Sequence, residues 1–268
     1  MPIDIDYHPC QGRVENTNTY LTFAPLPPLN HWVQVFWQLN VPDGKHYYRS
    51  VPDNCVDLII NLTSPEETFI VSPFSSAIVF EMTGPVSYFG IRFRILGHQG
   101  IISTPLGTWN QRDSFINIYD ILPEHMLSAA YDAACKQLRF HQRCQYFSKL
   151  LLGSVQHSKI DSRLARYIRY CHGNISSSIN LSDKQCSEFG VSARQLRRLT
   201  HLYLGLSPRE FAKVLRFQQT LRVMNAENGT AGWGRYYYDQ PHFIRDFKSM
   251  SGITPKEFRG SSVLYNTG

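Results

Sequence analysis

The sequence contains no apolar run approaching the roughly 18 residues that a membrane-spanning helix needs. Its start, Met1–Cys10, carries Asp4 and Asp6 and lacks the basic-then-apolar order of a secretory signal. Both absences predict a cytoplasmic chain with no membrane partner. The six cysteines (Cys10, Cys55, Cys135, Cys144, Cys171, Cys186) lie far apart with no Cys-x-x-Cys pair, and read as reduced, mostly buried thiols. Catalytic signatures are missing as well. A metal-dependent cupin needs His and carboxylate ligands at close strand spacing, whereas His8, His31, His46 and His98 occur singly and no His-x-His is present. Neither a Gly-x-Ser-x-Gly elbow nor a Walker loop occurs. The sequence therefore nominates no catalytic residue, metal or cofactor, and the expectation is that the chain is not an enzyme.

What is present is a globular composition: 268 residues, 43% hydrophobic and 13% aromatic, enough for two ordinary domains. The net charge of +6 is unevenly placed. From Lys159 onward there are 17 Lys+Arg against 8 Asp+Glu, a net +9, while residues 1–158 hold 10 against 13, a net −3. A basic half joined to a mildly acidic one predicts a polyanion partner for the second half only.

Residues 1–122 read as a β-rich regulatory domain. Short aromatic and β-branched pieces recur at Trp32–Trp37, Val56–Leu62, Phe69–Val71, Ala77–Met82 and Tyr88–Ile95, each followed by Pro, Gly, Ser or Asp, with Val41-Pro42-Asp43-Gly44 as a turn. That spacing suggests a sandwich or barrel. Ile91-Arg92-Phe93-Arg94-Ile95 alternates and puts Arg92 and Arg94 on one face, where they either hold an anionic ligand inside a barrel or face water. Arg49, in His46-Tyr47-Tyr48-Arg49, poses the same alternatives. From Pro123 the period becomes helical, with Leu127, Ala130, Tyr131, Ala134 and Leu138 at three- and four-residue steps. Residues 123–158 are thus a helical connector, which could pair with its counterpart in a homodimer or pack onto its own β domain.

The last domain, residues 159–260, is organised by a repeat at an offset of 47 residues, followed by a tail at 261–268. Ser192 answers Asp239 as a helix N-cap, Leu196 answers Phe243 in the core, and Gly205–Phe211 answers Gly252–Phe258 nearly one for one. Each copy offers a capped helix, a glycine stop and a second capped start, the outline of a helix-turn-helix unit. Ser182 caps a supporting helix and Gly190 supplies the turn before Ser192-Ala193-Arg194-Gln195, a capping box. The helix that follows shows Arg194, Arg197, Arg198 and His201 opposite Leu196, Leu199 and Tyr203. An Arg fork meets the two acceptors of guanine in one plane, which suits Arg194 and Arg197 to base reading; Arg198 and His201 suit phosphates. A long helix from Ser207-Pro208-Arg209-Glu210 to about Asn225 fixes the phase of the two heads, so that they could meet one face of a duplex about 34 Å apart. In the second unit Gln240, His242 and Arg245 face outward.

Arg194–Arg198, Leu206–Phe211, Arg216-Phe217-Gln218 and Tyr237–Phe247 together resemble the DNA-binding domain of the AraC/XylS family of bacterial transcription regulators, over roughly Ile160–Arg259. Pro52–Ile59 and Gly90–Phe93 look like a β-rich, cupin-like sensor domain of one branch of that family. The implied fold class is α+β: a β-rich sandwich or barrel, a connecting helix, and an all-α domain with two helix-turn-helix units. The implied function is sequence-specific binding of double-stranded DNA, with activation the commoner outcome and RNA polymerase, a small-molecule or protein effector, and a second copy as further partners. The family's base-contacting positions fall on Arg194, Arg197, Gln240 and His242, while Arg198 and Arg245 match an arginine that contacts DNA or braces the helix. Two departures stand out. Thr200 replaces an aromatic core residue, and Ala231-Gly232-Trp233-Gly234-Arg235-Tyr236 stands where a supporting helix is usual, its two glycines each costing a helix about 1 kcal/mol. That support is expected to be short, irregular or ordered only on DNA. An alternative reading follows from the same flaw: a protein-interaction regulator with weak DNA binding of its own.

Overall fold

A computed structural model describes residues 3, 5–14, 19–102, 104–109, 115–117, 121–136, 138–156, 160–175, 181–226 and 231–266; the stretch at Ile179-Asn180, which leads into the first unit, lies outside them. The β half is one antiparallel sheet in the order β1 (Tyr20–Phe23), β2 (Val33–Ser50), β5 (Ile78–Phe93), β3 (Val56–Asn61), β4 (Phe69–Val71), β6 (Phe115–Asn117). Two strands are longer than the sequence pattern suggests. Pro42 and Gly44 do not end β2, nor Gly84 and Pro85 β5, because the two interruptions face each other and the ladder resumes after a register shift between Val41 and Gly44. Proline lacks the N–H a regular ladder requires and is tolerated at such a bulge.

The period-2 alternation sorts side chains between two faces. Phe36, Leu58, Ile60, Phe89, Ile91 and Phe93 point to one side, where α1 (Glu124–Cys135) and α2 (Phe140–Ser154) cover them with Met126, Ala130, Phe140, Phe147 and Leu151. Burying each large side chain here is worth about 1.5–3 kcal/mol. The connector is therefore two helices broken after Lys136, and it packs onto its own β domain.

The helical half holds α3 (Ser162–Gly173), α4 (Asp183–Glu188), α5 (Ala193–Leu204), α6 (Pro208–Ala226), α7 (Gln240–Ser251) and α8 (Pro255–Gly260). Helix α6 opens on a reciprocal box in which Glu210 N–H donates to Ser207 Oγ and Ser207 N–H to the Glu210 carboxylate, with Pro208 at the first turn. It is 19 residues long, about 28 Å. It buries Phe211, Val214, Leu215, Phe217, Gln218 and Leu221, a nearly all-round pattern that belongs to a helix enclosed on several sides. One apolar cluster continues from these helices into Ile3, Tyr7, Val51, Cys55, Ile95 and Leu96 of the β half. The C-terminal segment adds to that union: β7 (Leu264–Tyr265) pairs with the second half of β2 at Tyr47 and Tyr48. All six cysteines are unpaired, with Cys55, Cys144, Cys171 and Cys186 buried.

Candidate functional site

The first reading helix, α5, begins where Ser192 accepts a hydrogen bond from Gln195 N–H while Gln195 Oε1 accepts from Ser192 N–H. It ends at Gly205, whose φ of +70° closes the helix in the left-handed region that glycine enters freely. Between these stops Leu196, Leu199, Thr200 and Leu204 are buried, and Arg194, Arg197, Arg198 and His201 are exposed. Thr200 is fully enclosed, its hydroxyl donating to the Arg197 carbonyl at 3.2 Å. Supporting helix α4 is capped by Ser182 and buries Cys186.

The second reading helix, α7, is capped by Asp239, which accepts from His242 N–H at 2.7 Å. Phe243, Phe247 and Met250 are buried, while Gln240 and Arg245 are exposed. His242 is half-buried: its ring meets Tyr237 edge-on and its Nε2 lies 3.7 Å from Asp246 Oδ2. The support is a single 3-10 turn over Ala231–Arg235. Trp233 compensates by stacking on Phe243, ring centroids 5.8 Å apart and 7° from parallel. Asp246, on the inner side of α7, accepts from Arg216 at 2.7 Å and lies 3.4 Å from Lys213, pinning this helix to α6. The sequence reading did not single out Asp246; its four-residue step from His242 was the available signal.

Arginines divide sharply by environment. Arg194, Arg197, Arg198 and Arg245 make no hydrogen bond or ion pair among the described residues, so their donors are open to solvent. Arg92, Arg94, Arg49 and Arg216 are each engaged. Phosphate and base contacts need the first kind.

The three arginines read as ligand candidates do not converge. Arg94 donates to the Asn30 carbonyl, and Arg49 to Ser251 O at 3.3 Å on the far helical domain. Arg92 lines a cavity of about 170 Å³ on the sheet face opposite α1 and α2, which neither Arg49 nor Arg94 reaches. There its Nε lies 3.1 Å from both oxygens of Asp57 and its Nη1 3.2 Å from Asp53. Trp37 Nε1 donates to Asp57 at 2.8 Å. Burial works against the Arg92 charge, but the two carboxylates hold its pKa well above the ordinary value; burial raises the Asp57 carboxyl, with Arg92 pulling the other way. Gly90 makes room for the indole: a Cβ there would sit 1.9 Å from Trp37. Spacing gave no sign of this cluster, since Asp57 and Arg92 are 35 residues apart.

Two loops of the β half join this cavity to the helical domain. In the first, Asp53 belongs to the cavity floor, while Pro52 O accepts from Gln218 Nε2 of α6 at 2.6 Å and Asn54 Nδ2 donates to Phe211 O at 3.1 Å. The second follows β4. Phe74 lines the cavity, Pro73 lies beside Gly205 at the end of α5, Ser75 Oγ is 3.4 Å from Glu210 at the start of α6, and Ala77 N–H donates to Met250 O of α7 at 2.7 Å. A third contact, the 3-10 turn Leu106–Thr108, packs on α5 so tightly that a Cβ at Gly107 would lie 2.8 Å from Leu202 Cα. Both reading helices are thus held near their C-terminal ends, leaving their first turns free.

One capped helix pair, and a second capped helix on a 3-10 turn, with outer-face arginines unpaired among the described residues, define a DNA-binding helix-turn-helix protein. Residues 185–261 match the family described as helix-turn-helix domain, of the AraC type. Residues 21–114 match a domain family of unknown function, DUF6597. No curated protein sequence matches the chain. Among solved structures, the apo form of a ToxT variant from Vibrio cholerae aligns with a TM-score of 0.42 at 14% identity, covering 93% of this chain and 100% of that one. ToxT from the same organism bound to (E)-4-(8-methylnaphthalen-1-yl)but-3-enoic acid aligns at 0.41 and 11%, covering 90% and 98%. Among the described residues no helix is long and apolar enough to cross a membrane.

Proposed function

We propose that the chain is a sequence-specific transcription regulator that reads two adjacent major-groove segments through α5 and α7 and is controlled through its β domain. The observation that carries this reading is the placement of the β half. It grips both reading helices near their C-terminal ends through residues that also line or flank its own cavity. Recognition helices meet bases with their N-terminal turns, so such a grip sets their mutual angle without blocking them. A change at Phe74 would be transmitted along Pro73, Ser75 and Ala77 to three helices together. Activation of transcription, with RNA polymerase as partner, is the outcome the family resemblance supports.

Genomic fragments captured by the purified protein and then footprinted test the reading. The expected result is protection of two neighbouring helical turns on one face of the duplex. A protein that protects nothing, yet retains a partner protein, would instead support the interaction-module alternative. Control is tested by Phe74→Ala, which is expected to change affinity for a captured site by about 0.5–2 kcal/mol, the scale of mutations along a coupling route.

A further inference from the structure

We infer that the cavity takes an apolar organic cation, a compact aromatic or alkyl ammonium, as its ligand. The inference rests on the reading of the β domain as the controlling domain and adds the chemistry of what it senses. Its floor carries two carboxylates, Asp53 and Asp57, against one guanidinium, Arg92. The described groups facing the Asp57 oxygens, Trp37 Nε1 and Arg92 Nε, are donors, so the geometry matches its ionised form. Asp53 likewise accepts, from Gln11 Nε2, Cys55 N–H and Arg92. The Arg92 charge is therefore already matched, and one negative charge remains over. An incoming carboxylate or phosphate would meet that excess; an ammonium would offset it.

The walls favour the same sign. Tyr20, Trp37, Tyr48, Phe69, Phe80 and Tyr88 line the cavity, and Glu81 stands at its exposed rim, paired with Lys45. A cation over aromatic faces gains about 0.5–2 kcal/mol or more as it is desolvated. The volume of about 170 Å³ is close to the roughly 150 Å³ of a cavity that admits benzene. One ring with a short amine chain is the size that fits.

Isothermal titration of the full chain with 2-phenylethylammonium, 2-phenylethanol and 3-phenylpropanoate tests the inference. The ammonium is expected to bind at least tenfold more tightly than the alcohol, and the carboxylate to give no saturable heat. Asp57→Asn should bring ammonium and alcohol to similar affinity. Because that change strands Arg92 and could unfold the domain, Phe80→Leu serves as a second variant, expected to weaken the ammonium more than the alcohol. Equal or tighter binding of alcohol or carboxylate, or no saturable binding of the ammonium at millimolar concentration, overturns the inference. DNA affinity measured with and without saturating ammonium separates it from the reading beneath it. Ammonium that binds without altering DNA affinity leaves the ligand class standing and removes control through the cavity. Ammonium that does not bind, beside a Phe74→Ala variant whose DNA affinity shifts, does the reverse.

Discussion

In the first helix-turn-helix unit the reading helix itself buries only aliphatic side chains and Thr200, with Leu196, Leu199 and Leu204 of α5 beside Cys186 of α4, while the rings of Tyr167, Phe189 and Phe211 pack behind it. In the second the reading helix supplies rings of its own, Phe243 and Phe247, which join Trp233, Tyr237, Phe217 and Phe258 in a connected set. The difference lies in what supports the reading helix. A capped six-residue helix holds α5, whereas a five-residue 3-10 turn containing two glycines holds α7. Stacked rings bury much area for few ordered residues, so they can stand in for a missing helix. The ion pair of Asp246 with Arg216 then fixes α7 to the common helix α6. One reading helix rests on a second helix, the other on a short turn held by a ring stack.

The largest expected effect comes from removing the ring on which that packing turns. Phe243→Ala should cost about 3–5 kcal/mol of unfolding free energy, within the range for buried aromatics. Leu196→Ala, its counterpart in the first unit, falls in the range of about 2–5 kcal/mol, and it leaves α4 its own cap and core. Urea denaturation of both variants measures the contrast. If Phe243→Ala costs no more than Leu196→Ala, the stack on Trp233 is not what orders the 3-10 turn.

Binding should separate the units in the opposite sense. Arg194 and Arg197 stand unpaired on the first two exposed turns of α5, whereas α7 offers Gln240 and a half-buried His242 that leans toward Asp246. Arg197→Ala is expected to cost about 1–3 kcal/mol at particular base pairs and to relax specificity there. Gln240→Ala should cost less and within the other half of the site. Arg198→Ala should weaken all sequences alike and lower the salt slope by about 1. Competition with singly substituted duplexes at two salt concentrations reads all three. Equal loss on cognate and random duplexes would remove Arg197 from base reading.

How far the sequence reached follows from the range of the interactions involved. Caps at Ser182, Ser192 and Asp239 and stops at Gly190, Gly205 and Gly252 were legible because each is settled by hydrogen bonds or backbone angles within a few residues. The 47-residue repeat then placed the exposed arginines. Opaque features involve partners far apart in sequence. Arg92 and Arg94 alternate as an outward pair should, yet one is buried against Asp53 and Asp57 and the other bonds the Asn30 carbonyl. Val41–Gly44 read as a turn, and Ala77–Met82 and Tyr88–Ile95 as separate strands, since only the facing of Pro42 and Gly84 across two strands makes the interruption a bulge. Gly90 was noted within a motif, but its task of seating Trp37 needs the neighbouring strand. Loop residues 72–77, which link the cavity to three helices, show locally only a break after Phe69–Val71 and the start of the next strand, with no sign of their distant partners.

The smallest expected effect concerns the helix starts after each turn, where the units again differ. Thr254 N–H and its hydroxyl donate to Glu257 in α8, holding that carboxyl below the ordinary value. A folded-state pKa below the unfolded one contributes stability above the unfolded value, about 4.3 for Glu, and the contribution is lost as pH falls through the folded value. Glu257→Gln should therefore keep the box while flattening its response to acid. In α6, burial works to raise the Glu210 carboxyl, but hydrogen bonds from Ser207 and from Ser75 outweigh it and leave it lowered. Ser75 belongs to the β domain, so Glu210 takes a hydrogen bond from the neighbouring domain, whereas those to Glu257 come from Thr254 of its own cap. Carboxyl-carbon NMR titration of Ser75→Ala should move Glu210 upward and leave Glu257 where it was. Equal movement of both, or of neither, would mean that the loop beside the cavity does not reach the start of α6.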